Sequence, residues 1–128
     1  MNDIGMDIVN VERIRTSYQR YGDRFLARIL TENEIALCRK KADFIKSVAA
    51  RFAAKEALSK ALGCGIGRDF NWQSVEILNG PSGKPFVRVV DKQCRLEEDS
   101  IKISLSHDKE YAAAVVLVLL PDKTLPEE

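Results

Sequence analysis

The stretch that most constrains the fold of this chain is RFAAKEALSKALG, from Arg51 to Gly63. Alanine, leucine, lysine and glutamate favour a helix, and no proline interrupts them. Gly63, followed by Cys64 and Gly65, supplies a residue that can adopt left-handed backbone angles where a helix ends. The stretch therefore predicts a helix that ends at about Gly63, and the other elements must pack around it.

At about 100° per residue, the side chains of this helix separate into two faces. One face is apolar and predicts core contacts: Ala53, Ala57, Leu58, Ala61 and Leu62. The other face carries an acid, a hydroxyl, an amine and a glycine, which together can hold a cation and approach a phosphate ester: Phe52, Glu56, Ser59, Lys60 and Gly63. Spacing alone favours a solvated face instead, because Glu56 and Lys60 form a favourable i,i+4 pair.

The composition predicts one globular domain, residues 1–128, with 45% hydrophobic residues and a modest core. A small core favours oligomerisation, which buries further surface and can form a site between subunits. The net charge of +1 argues against general nucleic-acid binding. Between Asn10 and Leu30, however, arginines exceed acids and predict a basic patch for an acidic partner: Arg13, Arg15, Arg20, Arg24 and Arg28 against Glu12 and Asp23.

The cysteines Cys38, Cys64 and Cys94 are odd in number and form no CxxC pair, which argues against a disulfide framework or a zinc site. The first residues lack the basic region and the apolar run of a signal peptide. No stretch has the length and apolarity of a membrane span. We therefore expect a protein of the reducing cytosol.

The first half of the chain predicts one strand followed by helices. Alternating residues indicate a strand from Asp3 to Val9, in which Asp7 either ends the strand facing water or serves chemistry. Capping residues and stops then predict four helices: Asn10 to about Tyr21 before Gly22, Asp23 to Ile29, a helix opened by a Thr31 and Glu34 capping box that reaches about Lys41, and one capped by Asp43 that includes Arg51 to Gly63.

After Gly67 the pattern predicts four strands: Trp72 to Leu78, Pro85 to Val90, Ser100 to Ser106 and Ala112 to Leu120. Turn-rich residues 79–84 would join the first two as a hairpin, and a tight turn at His107 to Glu110 the last two. The last strand is nearly all apolar, as suits an inner strand, and residues 121–128 predict a polar tail. This order predicts an α+β fold in which helices of the N-terminal half pack on a mainly antiparallel sheet.

Asp7, Glu56 and His107 are the polar residues that this arrangement leaves without a structural explanation. Two carboxylates from different elements can bind Mg²⁺, which prefers oxygen ligands and keeps waters and substrate phosphates in its other positions. A single histidine in a turn more often faces solvent than takes part in catalysis. The residues alone therefore leave both a magnesium site and a solvated surface open.

Three motifs, in this order along the chain, carry a resemblance to a known family: GMDIV at 5–9, RFAAKEALSKALG at 51–63 with GIG at 65–67, and SLSHD at 104–108. They resemble the signatures of the 4′-phosphopantetheinyl transferase superfamily, and more closely those of its short bacterial class. The similarity extends from about Ile4 to Leu119 and includes GKP at 83–85 and EYAAA at 110–114. Asp3 stands where a glycine often begins the first motif.

The resemblance implies the fold of that superfamily and the transfer of the phosphopantetheine arm of coenzyme A to a serine of an apo-acyl carrier protein, with release of adenosine 3′,5′-bisphosphate. It implies Mg²⁺ held by Asp7 and Glu56, with Lys60 as a further catalytic residue that contacts a phosphate oxygen. Glu56, or a metal-bound water that it positions, would accept the serine proton. The residues implied for coenzyme A are Arg51, Ser59, Lys60, Gly63 and His107.

The resemblance also implies a homotrimer with active sites between subunits, and docking of the acidic carrier protein on Arg13, Arg20 and Arg24. Such an enzyme would serve fatty acid biosynthesis in the cytoplasm. One alternative is a broad transferase that acts on several carrier domains, and another is a non-catalytic module that binds coenzyme A or an acidic partner. The joint presence of Asp7, Glu56 and Lys60 favours an enzyme, because a binding module would not need the metal-binding acids.

Overall fold

The computed structural model describes residues 2–94 and 96–119. Its helices and strands are, in chain order, β1 (Asn2–Asn10), α1 (Val11–Tyr21), α2 (Asp23–Ile29), α3 (Glu32–Arg39), α4 (Phe44–Leu62), β2 (Val75–Asn79), β3 (Pro85–Val89), β4 (Ile101–His107) and β5 (Tyr111–Leu119). The predicted α+β class is confirmed. No helix in these two ranges is long and apolar enough to cross a membrane, and the predicted polar tail lies outside them.

The caps predicted from the sequence define where the helices begin. Asn10 accepts a hydrogen bond from the backbone of Glu12, and Asp43 accepts one from the backbone of Lys46. At α3, the Thr31 side chain and the Glu34 side chain cap each other's backbone amides, so the capping box is confirmed. The predicted end of α3 at about Lys41 is wrong by two residues, because the last amides bond in the tighter pattern of a 3₁₀ turn.

Helix α4 is the central element and is buried on most sides. It contacts β1 and β5 along most of its length, and α1 and α3 from other directions. Its buried residues include six alanines: Ala49, Ala50, Ala53, Ala54, Ala57 and Ala61. These small side chains let the neighbouring elements approach the helix backbone closely. The predicted apolar face is confirmed, with Leu62 only half-buried at its end.

The strands form two antiparallel sheets instead of one. β1, β5 and β4 form a three-stranded sheet in that order, and β2 with β3 forms the separate hairpin. β5 is the middle strand, as its apolar sequence predicts. The predicted strand from Trp72 begins only at Val75, because residues 71–74 form a turn closed by Ser74 and Asn71. His107, predicted in a turn, is the last residue of β4.

The outer surface of the three-stranded sheet is apolar along β1 and β5 and uncovered in the single chain. In β1, Ile4, Met6 and Ile8 are 68%, 62% and 60% exposed, respectively. The register places Ile4 opposite Leu117 and Met6 opposite Val115. We call this surface the open sheet face, formed by Ile4, Met6, Ile8, Val115, Leu117 and Leu119. Such a contiguous apolar surface marks an interaction site in a soluble protein.

Gly5 determines which side of β1 faces α4. A Cβ atom at this position would lie 1.9 Å from the carbonyl oxygen of Ala57 and 2.7 Å from the amide nitrogen of Ala61. Both atoms belong to the helix backbone, which cannot rotate away as a side chain can. Strand and helix therefore meet backbone to backbone at Gly5, and Asp7, two residues along the strand, lies on the same side facing α4.

We predict that Gly5→Ala lowers the free energy of unfolding by about 3 kcal/mol or more, because overpacking against a fixed backbone displaces β1. Gly67→Ala is the matched control, since a Cβ atom there meets no atom within 4 Å and its backbone angle needs no glycine. Urea unfolding of both variants at one protein concentration measures the difference. Equal stability of the two variants would contradict the close approach of β1 and α4.

Candidate active site between strand β1 and helix α4

Asp7 and Lys60 form an ion pair across the contact between β1 and α4. The Lys60 Nζ atom lies 2.8 Å from Asp7 Oδ1 and donates a second hydrogen bond, of 3.2 Å, to the carbonyl oxygen of Met6. The Asp7 side chain is 17% exposed, whereas that of Lys60 is 55% exposed. The hydrogen bond to Asp7, and then its charge, raise the pKa of Lys60. Asp7 lies inside β1 and its side chain is mostly buried, so the interpretation that it ends the strand facing water is wrong.

Glu56 lies one helical turn before Lys60 and is half-buried. Burial is the main cause that raises the pKa of its carboxyl group, and the negative charge of Asp7 raises it further. The positive charges of Lys60 and Arg13 act in the opposite direction. The structure therefore brings Asp7, Glu56 and Lys60 together, with Arg13 at the edge of the group.

The donor set of this group fits a magnesium ion. Asp7 and Glu56 offer hard carboxylate oxygens from two different elements, which is the arrangement that Mg²⁺ accepts while it keeps further positions for water and substrate. In the described ranges, no group of three or more histidine, cysteine, aspartate or glutamate residues could hold a metal ion. A cation held by these two acids would therefore keep most of its positions free for phosphate oxygens and water.

Arg51 and His107 line a different part of the molecule. Both border an open cleft of about 430 Å³ whose other walls include Lys41, Asn79 and Pro85. Asp7, Glu56 and Lys60 do not line it. Arg51 and His107 were expected to bind coenzyme A. Within one chain, the cleft that they line is therefore separate from the acidic group formed by Asp7 and Glu56 with Lys60.

The guanidinium group of Arg51 is largely occupied by bonds within the protein. It donates to the carbonyl oxygens of Ser47 and Ile77, to the Ser47 hydroxyl and to the side chain of Asn79. The side chain is only 3% exposed. Arg51 thus ties α4 to the β2–β3 hairpin and forms part of the wall of the cleft.

Ser59 and Gly63 occupy contrasting positions on α4. Ser59 was expected on the open polar face, but it is 1% exposed, and its hydroxyl donates to the carbonyl oxygen of Glu56. A serine hydroxyl can bond back to the preceding turn, so helical angle alone does not place it in solvent. Gly63 caps α4 in the left-handed conformation with φ of 76° and is exposed.

Four of the five arginines of the basic patch are solvent-exposed on the first two helices, whereas Arg15 is half-buried and pairs with Glu12. Arg13 and Arg20 lie on α1, and Arg24 lies at the start of α2. Arg24 and Arg28 border a hollow of about 430 Å³ whose other lining residues are Ser17, Tyr21 and Phe25. The patch therefore combines positive charge with aromatic surface, and the charge of Arg13 acts on the carboxyl group of Glu56.

Sequence reasoning missed the buried charges of Lys55 and Glu34. Both side chains have no exposed surface, and the Lys55 Nζ atom lies 2.6 Å from Glu34 Oε1. Burial lowers the pKa of Lys55, and the Glu34 charge opposes this effect. The signal was available, because Lys55 falls beside Leu58 and Leu62 on the apolar arc of the helix, where a lysine requires a buried partner.

Comparisons with known proteins place this geometry in a family. Residues 3–116 match the model of the 4′-phosphopantetheinyl transferase superfamily. The holo-[acyl-carrier-protein] synthase of Chlorobium luteolum is 52% identical over 88% of this chain and 95% of its own length. That of Chlorobium chlorochromatii is 47% identical over 91% of this chain and 98% of its own length.

Solved structures of holo-[acyl-carrier-protein] synthases have a fold similar to that of this chain. The chain is similar to Helicobacter pylori holo-[acyl-carrier-protein] synthase in complex with coenzyme A, with a TM-score of 0.80, 36% identity, and coverage of 90% of this chain and 98% of that one. The Bacillus anthracis holo-(acyl-carrier-protein) synthase in complex with CoA (3′,5′-ADP) has a TM-score of 0.77 and 38% identity, covering 91% and 94% of the two chains.

The Asp7–Lys60 ion pair predicts competition between the lysine and a divalent cation, because both bind the Asp7 carboxylate. We expect Lys60→Met to bind Mn²⁺ severalfold more tightly than the unaltered protein, since the competing ammonium is removed. Titration with Mn²⁺ followed by electron paramagnetic resonance measures the affinity, with the exposed Lys92→Met as the control. Unchanged or weaker Mn²⁺ binding by Lys60→Met would exclude this competition.

Proposed function

We propose, since the chain belongs to the 4′-phosphopantetheinyl transferase superfamily, that it transfers the 4′-phosphopantetheine group of coenzyme A to a serine of apo-acyl carrier protein. The products are holo-acyl carrier protein and adenosine 3′,5′-bisphosphate. The observation that carries the proposal is the meeting of Asp7, Glu56 and Lys60 on one side of α4, in a chain whose relatives are holo-[acyl-carrier-protein] synthases. Free Cys38, Cys64 and Cys94 support a place in the reducing cytoplasm.

The reaction needs positive charge at a pyrophosphate. The serine oxygen forms a bond to the β-phosphorus of coenzyme A, and the bond from that phosphorus to the bridging oxygen breaks. The electron pair leaves with the adenosine 3′,5′-bisphosphate, whose phosphate carries the new negative charge. Mg²⁺, which Asp7 and Glu56 would hold, supplies neutralisation of the phosphate charges when bound.

Glu56 accepts the serine proton in our proposal. Its carboxyl group is half-buried beside Asp7 and Lys60, where it could take a proton from a hydroxyl that approaches the phosphates. The hydroxyl of Ser59 bonds to the carbonyl oxygen of Glu56 and so fixes the backbone that carries this carboxylate. The helix thus presents the base in one defined place.

Lys60 stabilises the leaving phosphate. Its side chain is 55% exposed and can turn from Asp7 towards a phosphate oxygen. An ammonium group in that position opposes the charge that develops on the leaving group. The exposed Gly63 at the end of the same helix allows a phosphate to approach the backbone without meeting a side chain.

We further propose that the active site is shared between subunits of a homotrimer. Arg51 and His107 line the cleft, whereas the acidic group lies elsewhere on the same chain. Coenzyme A can use both sets when the cleft of one subunit adjoins the acidic group of another. The open sheet face supplies the apolar surface for such an assembly. The number of three subunits follows from the family resemblance.

The acidic carrier protein docks on Arg13, Arg20 and Arg24 in this proposal. All three are exposed. Arg13 is near enough to Glu56 for its positive charge to counteract part of the rise in the pKa of that carboxyl group. A carrier bound on this patch would bring its serine to the edge of the acidic group. Opposite charge at such a surface increases the rate of encounter and the choice of partner.

The decisive experiment is an assay with coenzyme A, Mg²⁺ and a panel of apo-carrier proteins, followed by intact-mass spectrometry. Gain of the phosphopantetheine mass on apo-acyl carrier protein alone supports the proposed reaction. Equal modification of unrelated carrier domains would support the broad transferase instead. No gain of mass on any carrier would leave only a binding module.

We predict that Glu56→Gln folds normally and loses turnover by roughly a hundredfold or more, as for removal of one preorganised electrostatic contact. Glutamine keeps the size and helix propensity of glutamate but binds Mg²⁺ poorly and cannot accept a proton. Unfolding midpoints measured beside turnover separate stability from catalysis. Glu97→Gln is the control, because Glu97 is exposed and makes no capping hydrogen bond. Near-normal turnover of Glu56→Gln would remove Glu56 from the mechanism.

We predict that Ile4→Lys disrupts the oligomer and lowers activity, because it places a charge on the open sheet face. Val90→Lys introduces the same charge at an equally apolar residue, 47% exposed, outside that face. Size-exclusion chromatography with light scattering should give three chains for the unaltered protein and Val90→Lys, and fewer for Ile4→Lys. A fully active monomer of the unaltered protein would contradict the shared site.

A further inference from the structure

Lys55 is wholly buried one residue before Glu56 and has every donor of its ammonium group in use. It donates to Glu34 Oε1 at 2.6 Å, to the carbonyl oxygen of Ile29 at 2.9 Å, and to the carbonyl oxygen of Trp72. These acceptors belong to α3, to the last residue of α2, and to the loop before β2. One side chain thus ties α4 to three other segments of the chain.

Glu34 extends this anchor further. Its Oε1 atom also accepts a hydrogen bond from the amide of Thr31, and its Oε2 atom accepts one from the amide of Ile77 in β2. The Thr31 hydroxyl in turn donates to the buried carboxylate of Glu76. In the described residues, no buried side-chain nitrogen or oxygen lacks a hydrogen-bond partner. The anchor is therefore a fixed point of the fold.

On the opposite side, α4 packs against β1 through small residues. Gly5 packs against the helix backbone, and Ala57 and Ala61 are among the small side chains that face the sheet. Arg51, one turn earlier on α4, ties the helix to the β2–β3 hairpin, and Lys55 holds the turn that carries Glu56. The exposed ion pair of Lys60 with Asp7 is breakable and cannot supply a permanent restraint.

We propose that Lys55 is a positioning residue for catalysis: its three hydrogen bonds set the rotation and axial position of α4 so that Glu56 faces Asp7. Glu56 is the next residue of α4, so any rotation of the helix at Lys55 also turns the Glu56 side chain. Loss of the anchor therefore moves one metal-binding carboxylate relative to the other. This inference rests on the proposed function and adds a residue that touches neither substrate nor metal.

The test compares two variants that break the same buried ion pair from opposite sides. Lys55→Met removes all three hydrogen bonds from α4. Glu34→Gln removes the partner charge but leaves the bonds from Lys55 to the carbonyl oxygens of Ile29 and Trp72. Both lose stability, so they are studied well below their unfolding midpoints, and Lys55→Gln replaces Lys55→Met if the latter does not fold.

The readouts are Mn²⁺ affinity by electron paramagnetic resonance, the half-saturating Mg²⁺ concentration, and kcat and KM for coenzyme A. For Lys55→Met we expect about tenfold or greater losses in Mn²⁺ affinity and kcat, as for other residues that orient metal ligands, with little change in KM. Glu34→Gln should change Mn²⁺ affinity less than about twofold, since its remaining bonds hold α4 in place. Unfolding by itself would weaken the apparent Mg²⁺ affinity only in proportion to the folded fraction, and well below the unfolding midpoint that fraction is close to one.

Unchanged Mn²⁺ affinity in a folded Lys55 variant would overturn the inference. Equal losses in Lys55→Met and Glu34→Gln would also overturn it, because the ion pair would then support only the fold. The Mn²⁺ titration does not depend on turnover. If the unaltered protein modified no carrier, the proposed function would fail, while the titration would still report whether Lys55 positions α4.

Discussion

The contact between the backbones of β1 and α4 is the constraint on which the rest of this structure depends. It requires a glycine in the strand and alanines in the helix, because a Cβ atom at Gly5 would meet backbone atoms of Ala57 and Ala61. The contact brings Asp7 within hydrogen-bonding distance of Lys60. The proposed catalytic group is therefore assembled from two elements that lie far apart in the sequence, with a side chain as short as that of Asp7.

Two lysines five residues apart on α4 show how burial changes the role of an ion pair. Lys55 and Glu34 are fully buried, so removal of either partner leaves an uncompensated charge that destabilises a fold by roughly 3–5 kcal/mol. Lys60 is mostly exposed, and water screens its attraction to Asp7. In our proposal the first pair fixes the helix, whereas the second exchanges its partner during the reaction. One helix thus carries a rigid anchor and a movable charge.

The sequence predicts local structure here better than it predicts which side of a strand or helix is buried. Asn10, Thr31 with Glu34, and Asp43 bond to amides two or three residues away, so their signals are short-range and the predicted starts of the helices agree with the structure. The motifs also identified Asp7, Glu56 and Lys60, which the fold brings together. The burial of Ser59 and the anchor of Lys55 depend on partners that no local pattern specifies.

Because local patterns do not specify which surfaces meet, the sequence predicts neither the open sheet face nor the separation of the cleft from Asp7, Glu56 and Lys60. Alternation in β1 shows two faces but not which one is covered, and the structure covers the polar one because Gly5 permits the helix to approach there. The apolar residues on the other face of the two strands are consequently left outside: Ile4, Met6 and Ile8 of β1, with Val115 and Leu119 of β5. In our proposal, the chain has an apolar surface to bury and, because Asp7, Glu56 and Lys60 do not line the cleft, a site to complete. Association of identical chains would satisfy both requirements at once, which is why the proposed shared active site and the open sheet face have one explanation.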